Sequence, residues 1–287
     1  MKRIGYLGPI GTFTEQAFKL YIGKEECSPL LASSIDELFD LFNEDKADEI
    51  LLPIENSIGG PVIRCMDLLA KSKNGYISYE LILRINHCLL AKRQLETNEI
   101  SHVLSKDQAI MQCWPYIHDN LSHVETVAVN STATAADWIS NPEKCPSSLE
   151  AYQDSMTAIG PTSLAEKYPL VIIKENIQEN PLNQTRFIVI SHKKSPISDY
   201  DKTSLIFSAH HEPGSLNKIL SEFEKENLNL TQIASRPIQE KPGTYYFYID
   251  FEGHQDDKRI KDVLKKVKAK TTFFKILGSY AKGIKHD

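Results

Sequence analysis

The sequence has little of what most familiar protein classes require. No apolar run approaches the roughly 20 residues needed to span a bilayer, so no membrane partner is expected. The opening, MKRIGYLGPIGTFTEQ, carries Lys2 and Arg3 with no apolar stretch behind them, which excludes a secretory signal. Cysteine is scarce: five residues, at 27, 65, 88, 113 and 145, an odd and scattered set without a CxxC. That pattern builds neither a disulfide framework nor a zinc site, and it reads as reduced, mostly buried thiols in a cytoplasmic protein. Gly (13) and Pro (14) are few, which excludes collagen-like and disordered chains. Positive charge is not in excess: 33 Lys and Arg against 38 Asp and Glu leave a net −5, which argues against a nucleic-acid partner. GxSxG, HExxH, EF-hand and P-loop motifs are all missing. What is present is a globular composition, 41% apolar over 287 residues, enough for about two domains.

The polar segment SHKKSPISDYDKT (191–203) separates two patterns. Before residue 200 there are 18 basic and 26 acidic residues; from 200 onward there are 15 and 12. Ahead of the boundary, strand and helix patterns alternate. RIGYLG, SPLLA, EILLPIEN, INHCLLAK, HVLSK, VETVAV, MTAIG and TRFIVIS read as strands. TFTEQAFKLYI, SIDELFDLFNE, PVIRCMDLLAKS, DQAIMQCWPYIH, STATAADWIS and SLAEKY read as helices between them. Such alternation predicts an α/β region with mainly parallel sheets, its ligands beyond the carboxyl ends of the strands. After the boundary the order becomes TSLIFSAHH, SLNKILSEFEKEN, LNLTQIASRPI, TYYFYIDFEGH, KRIKDVLKKVKAK and TTFFKILGSY, the β-α-β-β-α-β arrangement of a ferredoxin-like domain.

Four stretches could carry chemistry. Gly5, Gly8 and Gly11 superficially suggest a dinucleotide loop, but G-x-G-x-x-G is absent. Ser33 and Ser34 stand where an acidic residue should follow the second strand, so NAD is rejected. Thr12 and Glu15 fit a capping box; equally, the helix start they open could receive an anion. Glu55-Asn56-Ser57, at the end of an apolar strand and before Gly59-Gly60, reads as a site, the alternative being an Asx-type turn. Asn183-Gln184-Thr185-Arg186-Phe187 opens the closing strand, where Arg186 either forks onto a carboxylate or makes a structural ion pair. Ser131 and Thr132 are ordinary helix-capping residues by default. His87 and Gln108 carry less signal, and His210-His211 is poor spacing for a metal.

Together these stretches resemble the prephenate dehydratase family over essentially the whole chain. GPIGTFTEQA is similar to its GPxGTFTExA signature, LLPIENSIGGPV to its VPIENSxxGxV and NQTRFIVI to its NxTRFxVI, with DQAIMQC and STATAA between them. The second region resembles an ACT regulatory domain through Pro213-Gly214-Ser215-Leu216 and Ser235-Arg236-Pro237, although Ala234 replaces the glutamate usual in ESRP. The resemblance implies a lyase that converts prephenate to phenylpyruvate with loss of CO₂ and water, in phenylalanine biosynthesis, without metal or cofactor. It implies a two-lobed region like a type 2 periplasmic binding protein over residues 1–191, with an ACT domain over 200–287. Lobe one is expected at about 1–75 and 165–191 and lobe two at about 76–164, the chain crossing near 72–80 and returning near 165–185. Because the chain opens on the dehydratase signature, a fused chorismate mutase domain is not expected.

By the same resemblance, Thr185 is the residue tied most closely to catalysis, with Asn56 and Ser57 beside it and Glu55 as the expected ultimate proton donor if burial favours its protonated form. Gly11, Thr12, Thr14, Ser131, Thr132, Arg186 and Phe187 would bind substrate. Gly214, Ser215, Leu216, Asn217, Ser235, Arg236 and Pro237 would bind L-phenylalanine at the seam of a homodimer or homotetramer. Two alternatives stay open: an arogenate dehydratase, and a cytoplasmic ligand-binding regulator without chemistry.

Overall fold

The structure is a computed structural model that describes residues 1–238 and 241–286. Lobe one opens with β1 (Lys2–Leu7), α1 (Phe13–Ile22), β2 (Cys27–Ala32), α2 (Ile35–Asn43) and β3 (Glu49–Asn56). A short β4 (Gly60–Pro61), α3 (Ile63–Lys71) and β5 (Tyr76–Arg84) follow. Lobe two holds β6 (Cys88–Ala91), β7 (His102–Ser105), α4 (Asp107–Gln112), α5 (Trp114–Asn120) and β8 (Glu125–Ala128). It is completed by α6 (Thr132–Ser140), β9 (Met156–Gly160), α7 (Ser163–Lys167) and β10 (Val171–Lys174), after which β11 (Gln184–Ser191) returns to lobe one. The second region is β12 (Asp201–Ala209), α8 (Ser215–Lys225), β13 (Leu230–Pro237), β14 (Tyr245–Glu252), α9 (Lys258–Lys268) and β15 (Thr271–Ala281), the expected β-α-β-β-α-β order. A last strand, β16 (Ile284–His286), lies outside that pattern. Among the described residues no helix is long and apolar enough to cross a membrane.

Among the described residues three sheets result, ordered β16-β5-β11-β3-β1-β2, β10-β6-β9-β7-β8 and β13-β14-β12-β15. The two lobe sheets are mixed rather than mainly parallel. β1 pairs parallel with β2 and β3, but β11 runs antiparallel to both β3 and β5, because it enters lobe one from the other lobe. The expected lobe limits also shift. Tyr76–Arg84 is a strand of the first sheet, with Ser191 opposite Tyr76 and Gln184 opposite Arg84. The chain therefore crosses to lobe two between Arg84 and Cys88, and returns between Lys174 and Gln184, rather than near 72–80 and 165–185.

The position of β11 decides where every functional side chain can point. Successive side chains of a strand alternate faces. Phe187 and Val189 join Ile4, Tyr6, Ala17 and Phe18 in the core under α1. Ile188 and Ile190 join Phe42, Met66, Ile206, Tyr248, Leu277 and Tyr280 in a core that lobe one shares with the second region. One face of the sheet therefore packs under α1 toward the lobe pair, and the other is covered jointly by α2, α3 and the ferredoxin-like domain. Gly278 marks the closest approach: a Cβ there would lie 2.2 Å from the Ile77 carbonyl oxygen. After β15 the chain re-enters the first sheet, β16 pairing in parallel with β5 through Ile284, Lys285 and His286.

Candidate active site

A cleft of about 670 Å³ lies between the lobes. The ends of β1 and β3, the start of β11, and the first residues of α1, α4 and α6 all open onto it. Phe13, Ile85 and Phe187 give it apolar surface, Thr12, Thr14, Ser131 and Thr132 hydroxyls, and Lys106 a cation. At α6, Ser131 accepts from the Thr134 N–H at 3.0 Å as a cap. At α1 the expected box does not form: Thr12 donates to the Pro9 carbonyl at 3.0 Å, and Glu15 accepts from the Gly11 N–H at 2.6 Å rather than from that of Thr12. The positive ends of two helices of nine and ten residues therefore face the cleft, a suitable field for a small anion.

The deepest part of the site is a chain of amides whose orientations follow from one another. Asn56 Oδ1 accepts from the backbone N–H groups of Ile58 (3.1 Å) and Gly59 (2.7 Å), which fixes that amide. Its Nδ2 then donates to Asn183 Oδ1 at 2.8 Å and to Thr185 Oγ1 at 3.1 Å. Asn183 Nδ2 in turn donates to Gln112 Oε1 at 3.0 Å. Gln112 Oε1, already an acceptor, faces His87 Nε2 at 2.9 Å, so we assign the His87 proton to Nε2. Nδ1 of His87 then keeps a lone pair, and it is buried without a partner among the described residues. Burial pulls the His87 pKa down against the opposing bond to Gln112, which keeps the ring neutral. The same chain shows how Thr185 is held. Its oxygen accepts from Asn56, opposite which it sits in the ladder, and the hydroxyl proton is left for a ligand.

The structure brings Thr185, Asn56, Phe187, Thr12, Thr14, Ser131 and Thr132 to the cleft, and it moves four expected residues out of it. Gly11 has its N–H taken by Glu15 and packs between the lobes, where a Cβ would meet Leu164 Cδ2 at 2.6 Å. Ser57 Oγ accepts from the Gln184 N–H at 3.0 Å and ties the end of β3 to the start of β11. Glu55 and Arg186 face each other in the ladder on the opposite side of the sheet from Thr185. Arg186 is an ion-pair residue there, bound to Glu80 and 2.7 Å from Asp250, and Glu55 accepts from Gln232 at 2.9 Å. Neither reaches the cleft: Arg186 follows the alternation of β11, and Glu55 is turned away by the irregularity that leaves Ile54 unpaired between Glu55 and Pro53 in the ladder. Gln112 and Lys106 were not singled out from the sequence, and Asn183 was named only as the first residue of its stretch. The available signal was Gln108 and Gln112 at i and i+4, one helix face that lines the cleft.

In the second region Gly214, Ser215 and Leu216 line a separate hollow of about 430 Å³ with Glu212, Tyr245 and Phe247. Gly214, at φ 78°, is the N-cap of α8. Asn217, Ser235, Arg236 and Pro237 lie outside this hollow within one chain. Arg236 instead pairs with Asp67 of α3 at 3.2 Å.

Comparison with known proteins decides the family. A family model described as prephenate dehydratase matches residues 4–195 and one for the ACT domain matches 203–269. The chain belongs to the prephenate dehydratase family. The prephenate dehydratase of Methanocaldococcus jannaschii is 36% identical, covering 97% of this chain and 98% of that one. The bifunctional chorismate mutase/prephenate dehydratase of Neisseria gonorrhoeae is 35% identical over 96% of this chain and 74% of its own. Among solved structures, an Arthrobacter aurescens prephenate dehydratase in complex with L-Phe superposes with a TM-score of 0.86 at 30% identity, over 98% of this chain and 90% of that one. The family activity is the decarboxylating dehydration of prephenate to phenylpyruvate, here joined to an ACT regulatory domain. The arogenate alternative is not favoured, and a regulator without chemistry gives way to an enzyme.

Proposed function

We propose that prephenate is turned over in the interlobe cleft, with Thr185 as the hydrogen-bond donor to the departing ring hydroxyl. Prephenate is a dianion with two carboxylates, an apolar ring and one hydroxyl. The ring carboxylate leaves as CO₂, and the electron pair of its C–C bond enters the ring. The C–O bond to the hydroxyl breaks, and that oxygen leaves as water after taking one proton. Aromatisation drives both departures, so the protein supplies position and a proton-donating contact rather than covalent chemistry. The α1 and α6 starts with Lys106 suit the carboxylates, and Phe13, Ile85 and Phe187 suit the ring. One observation carries this reading: Asn56, oriented by two backbone N–H groups, occupies the Thr185 oxygen as a donor and so leaves its proton for the substrate. Thr185→Val tests it by keeping the shape and removing the hydroxyl. Phenylpyruvate formation should fall in kcat by about 10²–10⁴-fold with KM changed only a few-fold. A variant with the parent kcat removes Thr185 from the chemistry.

For regulation, we propose that L-phenylalanine binds the hollow at Gly214, Ser215 and Leu216 and inhibits turnover. Asn217, Ser235, Arg236 and Pro237 would complete the site from a second chain. The relative from Arthrobacter aurescens, solved with L-Phe, supports this reading, as does the positive φ of Gly214 at a helix start. β13 is an open edge strand with Ile233 about half exposed, which suits pairing of ACT sheets into a homodimer or a tetramer. Five free cysteines, four of them buried, suit a cytoplasmic compartment. Calorimetric titration of L-phenylalanine into the intact chain, with light scattering for its mass, tests both points; no heat of binding would leave the domain an assembly role only.

A further inference from the structure

Thr185 and Asn56 are flanked along their strands by Arg186 and Glu55, whose side chains leave by the opposite face of the sheet. That face is covered by the regulatory domain, and one side chain there touches both. Gln232 of β13 accepts from Arg186 Nη1 at 2.5 Å and donates to Glu55 Oε2 at 2.9 Å. An amide can bridge a cation and an anion in this way because it carries an acceptor and a donor: a carboxylate would repel Glu55, and a hydrocarbon would leave both ends unpaired. The remaining partners of Arg186 are fixed in place. Its Nη2 donates to Tyr280 Oη at 2.9 Å and lies 2.7 Å from Asp250 Oδ2, an ion pair without hydrogen-bond alignment. Glu80 holds Arg186 and Lys202 together and also accepts from the Gly283 N–H at 3.0 Å. Tyr280, Asp250 and Lys202 belong to β15, β14 and β12, the inner strands and far edge of the regulatory sheet. Gln232 belongs to the open edge strand, three residues before Ser235.

We propose that Gln232 is a positioning residue: it ties the two strands that carry Thr185 and Asn56 to the regulatory edge strand, so that a shift of β13 is felt in the cleft as a misalignment of that pair. The bridge acts where β3 and β11 are already irregular, the ladder slipping between Arg186 and Phe187. A pull on Arg186 or Glu55 there changes the Asn56–Thr185 contact of 3.1 Å without disturbing the core strands below it. The inference rests on the reading that L-phenylalanine occupies the ACT region.

The test compares the full-length chain with Gln232→Ala, Glu55→Ala and Glu55→Gln, each checked for an unchanged thermal melt profile. The conservative Glu55→Gln keeps an acceptor for Gln232 and should behave as the parent does. Gln232→Ala and Glu55→Ala should lower kcat by about 3–10-fold with KM within twofold. They should also bind L-phenylalanine within about threefold of the parent affinity. Inhibition should nevertheless be lost: the ratio of half-saturating prephenate with and without saturating phenylalanine should fall at least fivefold toward one. Parent-like inhibition in Gln232→Ala, or equal losses in Glu55→Gln and Glu55→Ala, overturns the proposal. If the parent itself binds no phenylalanine, the effector reading has failed. The kcat-against-KM split and the rescue by Glu55→Gln then still decide whether Gln232 positions the pair.

Discussion

Asn56 shows how much a single amide can decide. Its oxygen is spent on the N–H groups of Ile58 and Gly59, so its nitrogen must face Thr185 and Asn183. Asn56→Asp replaces that donor with an acceptor. The Thr185 proton would then turn toward the new carboxylate and away from the substrate, and the added negative charge would face a dianion. We expect kcat to fall about 10²-fold and KM to rise, in contrast to Thr185→Val, where KM stays nearly constant; steady-state kinetics of both variants checks the difference. Arg186 carries the opposite lesson. The sequence left it between a carboxylate fork and a structural ion pair, and the structure supplies the second. Arg186→Lys keeps the charge but loses the forked hydrogen bonds, and should cost about 1–3 kcal/mol in urea unfolding while KM for prephenate stays close to the parent value.

At the scale of elements, the motifs told which strands lead to the site but not which face of each strand meets it. TRFIVIS was legible as a strand from its apolar run, and the pairing of Thr185 with Phe187 follows from its period of two. A strand buried on both faces has no polar side to orient it, so Arg186 and Glu55 were grouped with their neighbours. β5 escaped detection for a related reason. Ser78, Glu80 and Arg84 interrupt its apolar residues, and Glu80 is charged because the second region brings Lys202 to meet it, a partner 122 residues away. The amide chain from Asn56 to His87 joins positions 56, 183, 112 and 87, a closure that no local pattern announces. Ala234 is informative at this scale: it packs against the core shared with lobe one, so the glutamate usual there would face the catalytic region. Gly11 was expected to bind substrate and instead spaces the lobes, at φ 92°. Gly11→Ala would drive a methyl into Leu164. It should raise KM several-fold and lower stability by about 1–3 kcal/mol, read by kinetics and a thermal melt.

At the scale of the whole molecule, Glu80 is the charge on which the two regions meet. Burial favours its neutral form, yet Arg186 and Lys202 hold its pKa below the usual carboxylate range. A depressed folded pKa contributes stability that is present above the unfolded value of about 4.3 and lost as pH falls through the folded one. Glu80→Gln should therefore cost about 3 kcal/mol near neutrality and flatten the acid limb below about pH 4.3, measured as melting temperature against pH. The return of β16 to the first sheet has a mechanical consequence. The regulatory domain is attached to lobe one at both of its ends, and the two attachments leave from one corner, where the Lys282 N–H donates to the Tyr200 carbonyl at 2.7 Å. A rotation about these two adjacent attachments would displace the opposite side of the sheet most. Both attachments are on β12 and β15, at one side of the sheet, and β13 is its far edge. With strands about 4.8 Å apart, β13 stands roughly 10–14 Å from the pivot, so a turn of about 5° carries it about 1 Å. The strand that holds Gln232 and Arg236 is thus the tip of the lever, where the smallest rotation produces the largest travel.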